Sequence, residues 1–242
     1  MAICWERFCS LFYLEAMIRF LEWDTNCFGF KVGRVDADSN FNVDKIRQEA
    51  LSNHFKLLYI YTNTQQQQLS DFFCDTKLTF ENCNIVLKAL RSNGVGSYKG
   101  RMIDEDIYSI ALESGLYSRY NLDPNFPHNC FEKLYRCWIE NSVFTDFADD
   151  VLIHSTGNNV NGLLTYKVSE RTAVIGIVAI GEKFRGKGIG SSLMNYYHSQ
   201  LIREKVMRSV VVTQGVNIDA CFFYKKCGYH IINKQYIYHL WL

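Results

Sequence analysis

The chain has 242 residues, 48% hydrophobic and 21% charged, enough apolar material for one large domain or two small ones sharing an interface. Lys and Arg number 26 against 25 Asp and Glu, a net charge of +1, so no basic face suited to counterion release exists and nucleic acid is not an expected partner. The nine cysteines, Cys4, Cys9, Cys27, Cys74, Cys83, Cys130, Cys137, Cys221 and Cys227, form no CxxC or CxH cluster and are odd in number. That argues against a zinc site and a disulfide framework, and for reduced thiols in a cytoplasmic protein without a metal.

The N-terminal "FCSLFYLEAMIRFLEW" is apolar but broken by Glu15 and Arg19, lacks a signal-type cleavage site and is too short to span a bilayer, so no membrane association is expected. Met17 is a candidate start, which would make residues 1–16 an extension. "FLEWDTNCFGFKVGRVD" (20–36) has the aromatic and β-branched content of strands around a Gly turn. "FKLLYIYT" (55–62) is a buried strand, "QQQQLSDFFCDT" (65–76) a polar-started helix and "LTFENCNIVLKAL" (78–90) a returning strand, together a β-α-β unit. "RSNGVGSYKG" (91–100) has a linker's composition.

Beyond it, Ile107, Ile110 and Ala111 follow a helical period before a loop at Asp123-Pro124. Phe131, Leu134, Trp138 and Ile139 mark one face of a second helix. Three strand-like runs at 149–156, 161–168 and 172–180 read as an antiparallel meander. The last runs directly into "RGKGIGSS" (185–192), after which Ile189, Leu193, Tyr197 and Leu201 share a helix face. "SVVVT" (209–213) is a short parallel-type strand. "NIDACFFYKKCG" (217–228) opens on an N-cap, Asn217, and closes on Gly228; a long strand finishes the chain. An ungapped offset of 151 lays Tyr59–Thr62 on Val210–Thr213, an echo consistent either with a degenerate internal copy or with generic β-α-β patterning.

The glycine loop is built to approach an anion. "GEKFRGKG" (181–188) has Gly188 where a P-loop needs a magnesium-binding hydroxyl, and the dinucleotide fingerprint fails at Ser191. The remaining template, R/Q-x-x-G-x-G/A between a strand and a helix, is met by Arg185, Gly188 and Gly190. Glycines remove the Cβ atoms that would hold phosphates away and permit positive φ. The amides from Gly186 to Ser191, with Lys187 and Ile189 between, would then point at the anion from a helix N-terminus. An unliganded strand-to-helix turn would also use glycine.

This loop resembles the pyrophosphate cradle of the Gcn5-related N-acetyltransferases (GNATs). "TQGVNIDACFFYKKCGY" (213–229) is similar to the same superfamily's Asn-x-x-Ala-x-x-x-Tyr-x-x-x-Gly-Phe/Tyr segment, through Asn217, Ala220, Tyr224, Gly228 and Tyr229. The resemblance implies an α/β GNAT fold: a mixed central sheet with splayed parallel strands and flanking helices over 99–242. Residues 1–98 would form a smaller N-terminal α/β lobe, a candidate degenerate GNAT half. It implies acetyl-CoA as cosubstrate, with Val178, Ala179 and Ile180 offering backbone groups to the pantetheine, Asn217 hydrogen-bonding it, Ala220 giving it room and Tyr224 protonating the leaving thiolate. The plainer readings are an N-cap for Asn217 and a core aromatic for Tyr224.

Two further segments, "LEWDTNCFGFKVGRV" (21–35) and "ALESGLYSRYNLDPNFPHNCFEKLYRCWIENSV" (111–143), resemble those of the dTDP-fucosamine acetyltransferase family, with Cys27 departing from an aromatic position. By that resemblance the acceptor is the amine of a nucleotide-linked amino sugar in bacterial polysaccharide synthesis, and homodimerisation stays open. Arg119, with Ser118 beside it, would pair with a diphosphate and Tyr117 or Tyr120 would stack on base or sugar; alternatively Arg119 clamps Asp123. Another small amine, a protein N-terminus, or CoA binding without catalysis are the competing functions. The base for the amine proton is not assigned by any motif.

Overall fold

A computed structural model describes residues 18–37, 41–86, 93–157 and 159–242; the candidate extension at 1–16 lies outside them. The strands are β1 (Arg19–Phe20), β2 (Val32–Asp36), β3 (Leu57–Thr62), β4 (Phe73–Asn82), β5 (Val95–Ser97), β6 (Asp150–Thr156), β7 (Asn159–Ser169), β8 (Thr172–Ile180), β9 (Arg208–Gln214) and β10 (His230–Trp241). They join one sheet in the order β1-β2-β3-β10-β4-β9-β8-β7-β6-β5. Helices α1 (Glu22–Phe28), α2 (Val43–Ser52), α3 (Glu105–Glu113), α4 (Arg119–Leu122), α5 (Cys130–Phe144), α6 (Ile189–Arg203) and α7 (Ile218–Lys226) flank it.

Because side chains alternate along a strand, neighbouring residues feed opposite layers. Val151 and Leu163 join the core under α1, α3 and α5, whereas Leu152 and Leu164 join that under α6 and α7; Ile175 and Ile177, two apart on β8, fall in opposite cores because its pairing with β7 is irregular between them. A third core, around Ile46, Ala50, Leu58, Ile60 and Leu240, seats α2. The meander β6-β7-β8 and the parallel pairing of β8 with β9 follow the sequence pattern.

The order of strands has an internal two-fold arrangement about a point between β10 and β4. β1 is antiparallel to β2, which is parallel to β3; likewise β7 is antiparallel to β8, which is parallel to β9. Each half is then extended by a strand of the other. β10 lies antiparallel to β3, β4 lies antiparallel to β9, and the two exchanged strands pair with each other. The 151-residue echo falls on β3 and β9, which occupy equivalent places.

Three local expectations change. Residues 22–28 are helical rather than strand: Glu22 and Asp24 sit in the first turn, where the helix dipole favours them, and Gly29 closes α1 at φ +79° with its N–H on the Thr25 carbonyl. The glutamine run supports only a 3-10 turn at Gln67–Phe72, and the chain is already strand at Phe73, because β10 pairs with β4 from there, with β9 joining on the other side from Lys77. The 91–100 linker contains β5, a short edge strand whose Val95–Ser97 pair with Leu152–His154 between Gly94 and Gly100, both at positive φ. Helix α2 carried no strong motif; the Asn42 side chain caps it by accepting from the Lys45 N–H.

The exchange makes β10 a shared element. Ile237, 1% exposed, packs into the core under α1, α3 and α5, while Tyr238 and Leu240 of the same strand fill the core that seats α2. Ile237→Ala should cost about 2–4 kcal/mol. The loss should register as one cooperative transition, with coincident tryptophan-fluorescence and circular-dichroism curves in guanidinium.

Candidate active site

The parallel ladder between β8 and β9 is short. It pairs Thr172–Ile175 with Arg208–Val211 and then stops. A bulge on β8 marks the point of divergence: Ile175 lies opposite Tyr166 and Val178 opposite Leu164, so Gly176 and Ile177 together face Thr165. The Ile177 N–H donates to Thr165 Oγ1 at 2.9 Å, and a Cβ on Gly176 would sit 2.7 Å from that same oxygen. Glycine is therefore required where the strand bends.

Beyond the bulge a cleft opens between Ile175–Val178 on one wall and Val212–Gln214 on the other. Asn217, Ala220 and Tyr224 of the α7 segment line it, as do Ser118, Arg119, Tyr120, Tyr135 and Trp138 from the opposite layer. Asn217 does cap α7, its Oδ1 accepting from the Ala220 N–H at 3.1 Å, and it lines the cleft as well. Tyr224 is 6% exposed and packs near Phe80 and Tyr229, and burial raises its phenol above the ordinary range, so it holds its proton at neutral pH.

The glycine loop stands at one end of this cleft's β8 wall. Gly186 and Gly188 have φ of +74° and +81°, conformations glycine adopts without a Cβ penalty. Among the described residues, the amides from Gly186 to Ser191 donate to no protein acceptor; the regular pattern resumes when Ser192 N–H reaches the Gly188 carbonyl. These are the donors that a helix start leaves open. Gly190 serves packing: a Cβ there would lie 3.1 Å from the Phe223 ring. Arg185 reaches inward, with Nη2 2.6 Å from Glu113 Oε2 and Nε donating to the Ile180 carbonyl, and so ties the loop to α3. Lys187 lies over the Phe184 ring.

Of the strand residues singled out in the sequence, Val178 faces the cleft, while Ala179 and Ile180 pair with Leu163 and Gly162 of β7 and lie outside its lining. Gly176 and Ile177 line it instead; a glycine inside an apolar strand was the available signal. Tyr117 is 47% exposed and apart from the cleft, whereas Ser118, Arg119 and Tyr120 reach it.

A second cavity shares Asp75, Arg119, Tyr120 and Val212–Gln214 with the first, and adds Asp24, Arg34, Tyr59, Tyr61 and Lys77 from the N-terminal half. Arg119, 7% exposed, lies 4.6 Å from the Tyr59 ring and 4.4 Å from that of Tyr120, and donates through Nη2 to the Tyr120 hydroxyl at 2.6 Å. It does not clamp Asp123. That carboxylate accepts from His239 Nδ1 at 2.6 Å, Trp241 Nε1 at 2.8 Å and the Asn125 N–H at 3.0 Å. Cys74 Sγ joins Asp123 and His239 in a group of three potential ligand atoms within 4.8 Å, and burial pushes its thiol up to about 12.

The site is thus an interrupted parallel ladder beside a glycine turn with open amides in a mixed α/β fold. Residues 114–229 match the Acetyltransferase (GNAT) family. The spore coat polysaccharide biosynthesis protein SpsD of Bacillus subtilis (strain 168) is 25% identical over 137 residues, 57% of this chain and 47% of that protein, so the match spans about half the relative's length. A functionally unknown conserved protein from Staphylococcus epidermidis ATCC 12228 superposes with a TM-score of 0.66 at 12% identity, covering 96% of this chain and 93% of the other. A GCN5-related N-acetyltransferase from Sphaerobacter thermophilus does so at 0.59 and 10% identity, covering 94% and 76%. Both structures share the fold. No helix among the described residues is long and apolar enough to cross a membrane.

Two buried groups titrate in overlapping windows with opposite effects. Burial lowers His239 from 6.5 to about 4 against its bond to Asp123, so its stabilising neutral form is lost as pH falls from 6.5 towards 4. Burial raises Asp75 from 3.8 to about 6 against the Arg119 charge and a Thr76 backbone bond, so its contribution grows over the same descent. The two largely cancel in the native chain. Asp75→Asn removes one of them, and on acidification from pH 6.5 to 4 its Tm should fall by on the order of 5 °C more than that of the native protein in scanning calorimetry.

Proposed function

We propose that the chain is an acetyl-CoA-dependent N-acetyltransferase acting in the cytoplasm on the amine of a nucleotide-linked amino sugar such as a dTDP-4-amino-4,6-dideoxyhexose. The carrying observation is the run of open amides at Gly186–Ser191 adjoining a cleft held apart by the Gly176–Ile177 bulge. Those amides would hold the pyrophosphate, with Lys187 at the rim and Arg185 bracing the loop through Glu113. The backbone from Gly176 to Val178, Asn217 and Ala220 would hold the pantetheine arm. Acetyl-CoA bound there supplies an activated acetyl thioester. Tyr224 holds a proton at Oη inside the cleft for the departing sulfur, and unpaired β8 N–H groups near Val178 polarise the carbonyl.

The acceptor reading is supported by the second cavity. It combines Arg34, Lys77 and Arg119 with the rings of Tyr59, Tyr61 and Tyr120, a lining suited to a diphosphate carrying a sugar and a base. The likeness to a polysaccharide biosynthesis protein points the same way. In this reading residues 1–98 are a degenerate GNAT half that has kept its strands and given its surface to the acceptor, with 99–242 as the acetyltransferase domain.

Calorimetry should show acetyl-CoA binding, and dTDP should shift the melting temperature independently. A CoA response without a dTDP response would move the acceptor to another amine, and binding without acetylation of any amine would reduce the protein to a CoA-binding module. Gly188→Ala should weaken acetyl-CoA roughly tenfold or more, because a side chain at φ +81° strains the turn and its methyl, with no protein neighbour within 4 Å, would stand where the anion approaches. Tyr224→Phe should lower kcat by roughly 10²–10⁴ and leave acetyl-CoA affinity nearly intact; unaltered turnover would remove Tyr224 from the role.

A further inference from the structure

The acetyl transfer needs a group to take the amine proton, and no sequence motif names it. Among the described residues lining the cleft that contains Tyr224, Asp75 is the single carboxylate, and no histidine is present. It comes from β4, the strand that the N-terminal half inserts beside β9, and it lines the acceptor cavity as well. It thus stands where the two cavities meet. Asp75 is 6% exposed, and its Oδ1 is buried with no hydrogen-bond partner.

A buried acceptor left without a hydrogen bond is costly, so such an atom calls for an explanation in terms of something it binds. Arg119 Nε is likewise buried without a partner. The other charged side chains around the cavities are Asp24, Arg34 and Lys77, which line only the acceptor cavity, and Asp24 accepts from the Tyr59 hydroxyl. Burial holds the phenols of Tyr59, Tyr120 and Tyr224 above their ordinary range and pushes Tyr135 up to about 12, so they stay protonated at neutral pH.

Resting on the acetyltransferase reading, we propose that Asp75 is the catalytic base that accepts the proton of the attacking amine. The amine nitrogen forms a bond to the acetyl carbonyl carbon and the carbon–sulfur bond breaks. One N–H proton passes to Asp75 Oδ1, and Tyr224 Oη gives its proton to the departing sulfur. Asp75 then returns a proton to Tyr224 through solvent in the shared cleft, so an amine and a thioester become an amide and a thiol with both residues restored.

The test uses the full chain, acetyl-CoA and dTDP-4-amino-4,6-dideoxygalactose. Asp75→Asn should lower kcat/KM for the amine by roughly 10²–10⁴ while acetyl-CoA affinity stays within about twofold by calorimetry. In the native protein log kcat/KM should fall with a slope of two below about pH 6, one proton on the amine and one on Asp75; in Asp75→Asn the slope should be one. Asp75→Ala should recover turnover with added formate, which a purely structural carboxylate would not allow. Turnover of Asp75→Asn within about threefold of native, or a native slope of one, overturns the role of Asp75 while leaving the transferase intact. A native protein that acetylates no amine overturns both readings together.

Discussion

The site depends on one broken ladder. A parallel pair buried between two helical layers ordinarily keeps its hydrogen bonds to the end, because unpaired backbone groups away from water are costly. Here β8 puts two residues, Gly176 and Ile177, opposite the single Thr165, and the Thr165 hydroxyl takes up the Ile177 N–H that the bulge releases. From that point β8 stays with β7 while β9 turns away with β4. The backbone left unpaired on the two facing walls is the raw material of a binding cleft, and Gly176 is what lets the bend occur without a clash.

The second constraint is the exchange of β4 and β10. An edge strand with open hydrogen-bonding groups is a liability, and each half of this sheet covers the exposed side of its parallel pair with a strand from the other. One consequence is chemical. Asp75 rides on β4 into the neighbourhood of Tyr224, some 150 residues away in sequence, and Arg119 meets the rings of Tyr59 and Tyr61 from the N-terminal half. The second cavity is therefore lined by residues of both halves.

The end of the chain is fixed by a buried polar cluster rather than by packing alone. Asp123 leaves α4 and gathers bonds from His239 and Trp241 of β10, and burial works against its charge while those bonds hold it below the ordinary carboxylate range. The imidazole stays neutral, with Nδ1–H on the carboxylate and Nε2 buried without a partner. The α4 segment that carries Ser118, Arg119 and Tyr120 is thereby anchored to the strand that joins the two halves. Arg119 is thus free of Asp123 and turned towards the two cavities.

By itself the sequence determined what local periodicity and glycine chemistry can determine. It specified the meander, the strand-turn-helix around Gly186 and Gly188, the Asn217 cap and the apolar faces of α3, α5 and α6, because each depends on residues a few positions apart. Only the tertiary structure decided the rest. That β4 begins at Phe73, that Arg185 reaches Glu113 and that Asp75 enters the cleft are all results of contacts between distant segments. A lone aspartate between Cys74 and Thr76 carries no signal until a strand exchange buries it, and the energy of that exchange is spread over ladders no short window contains.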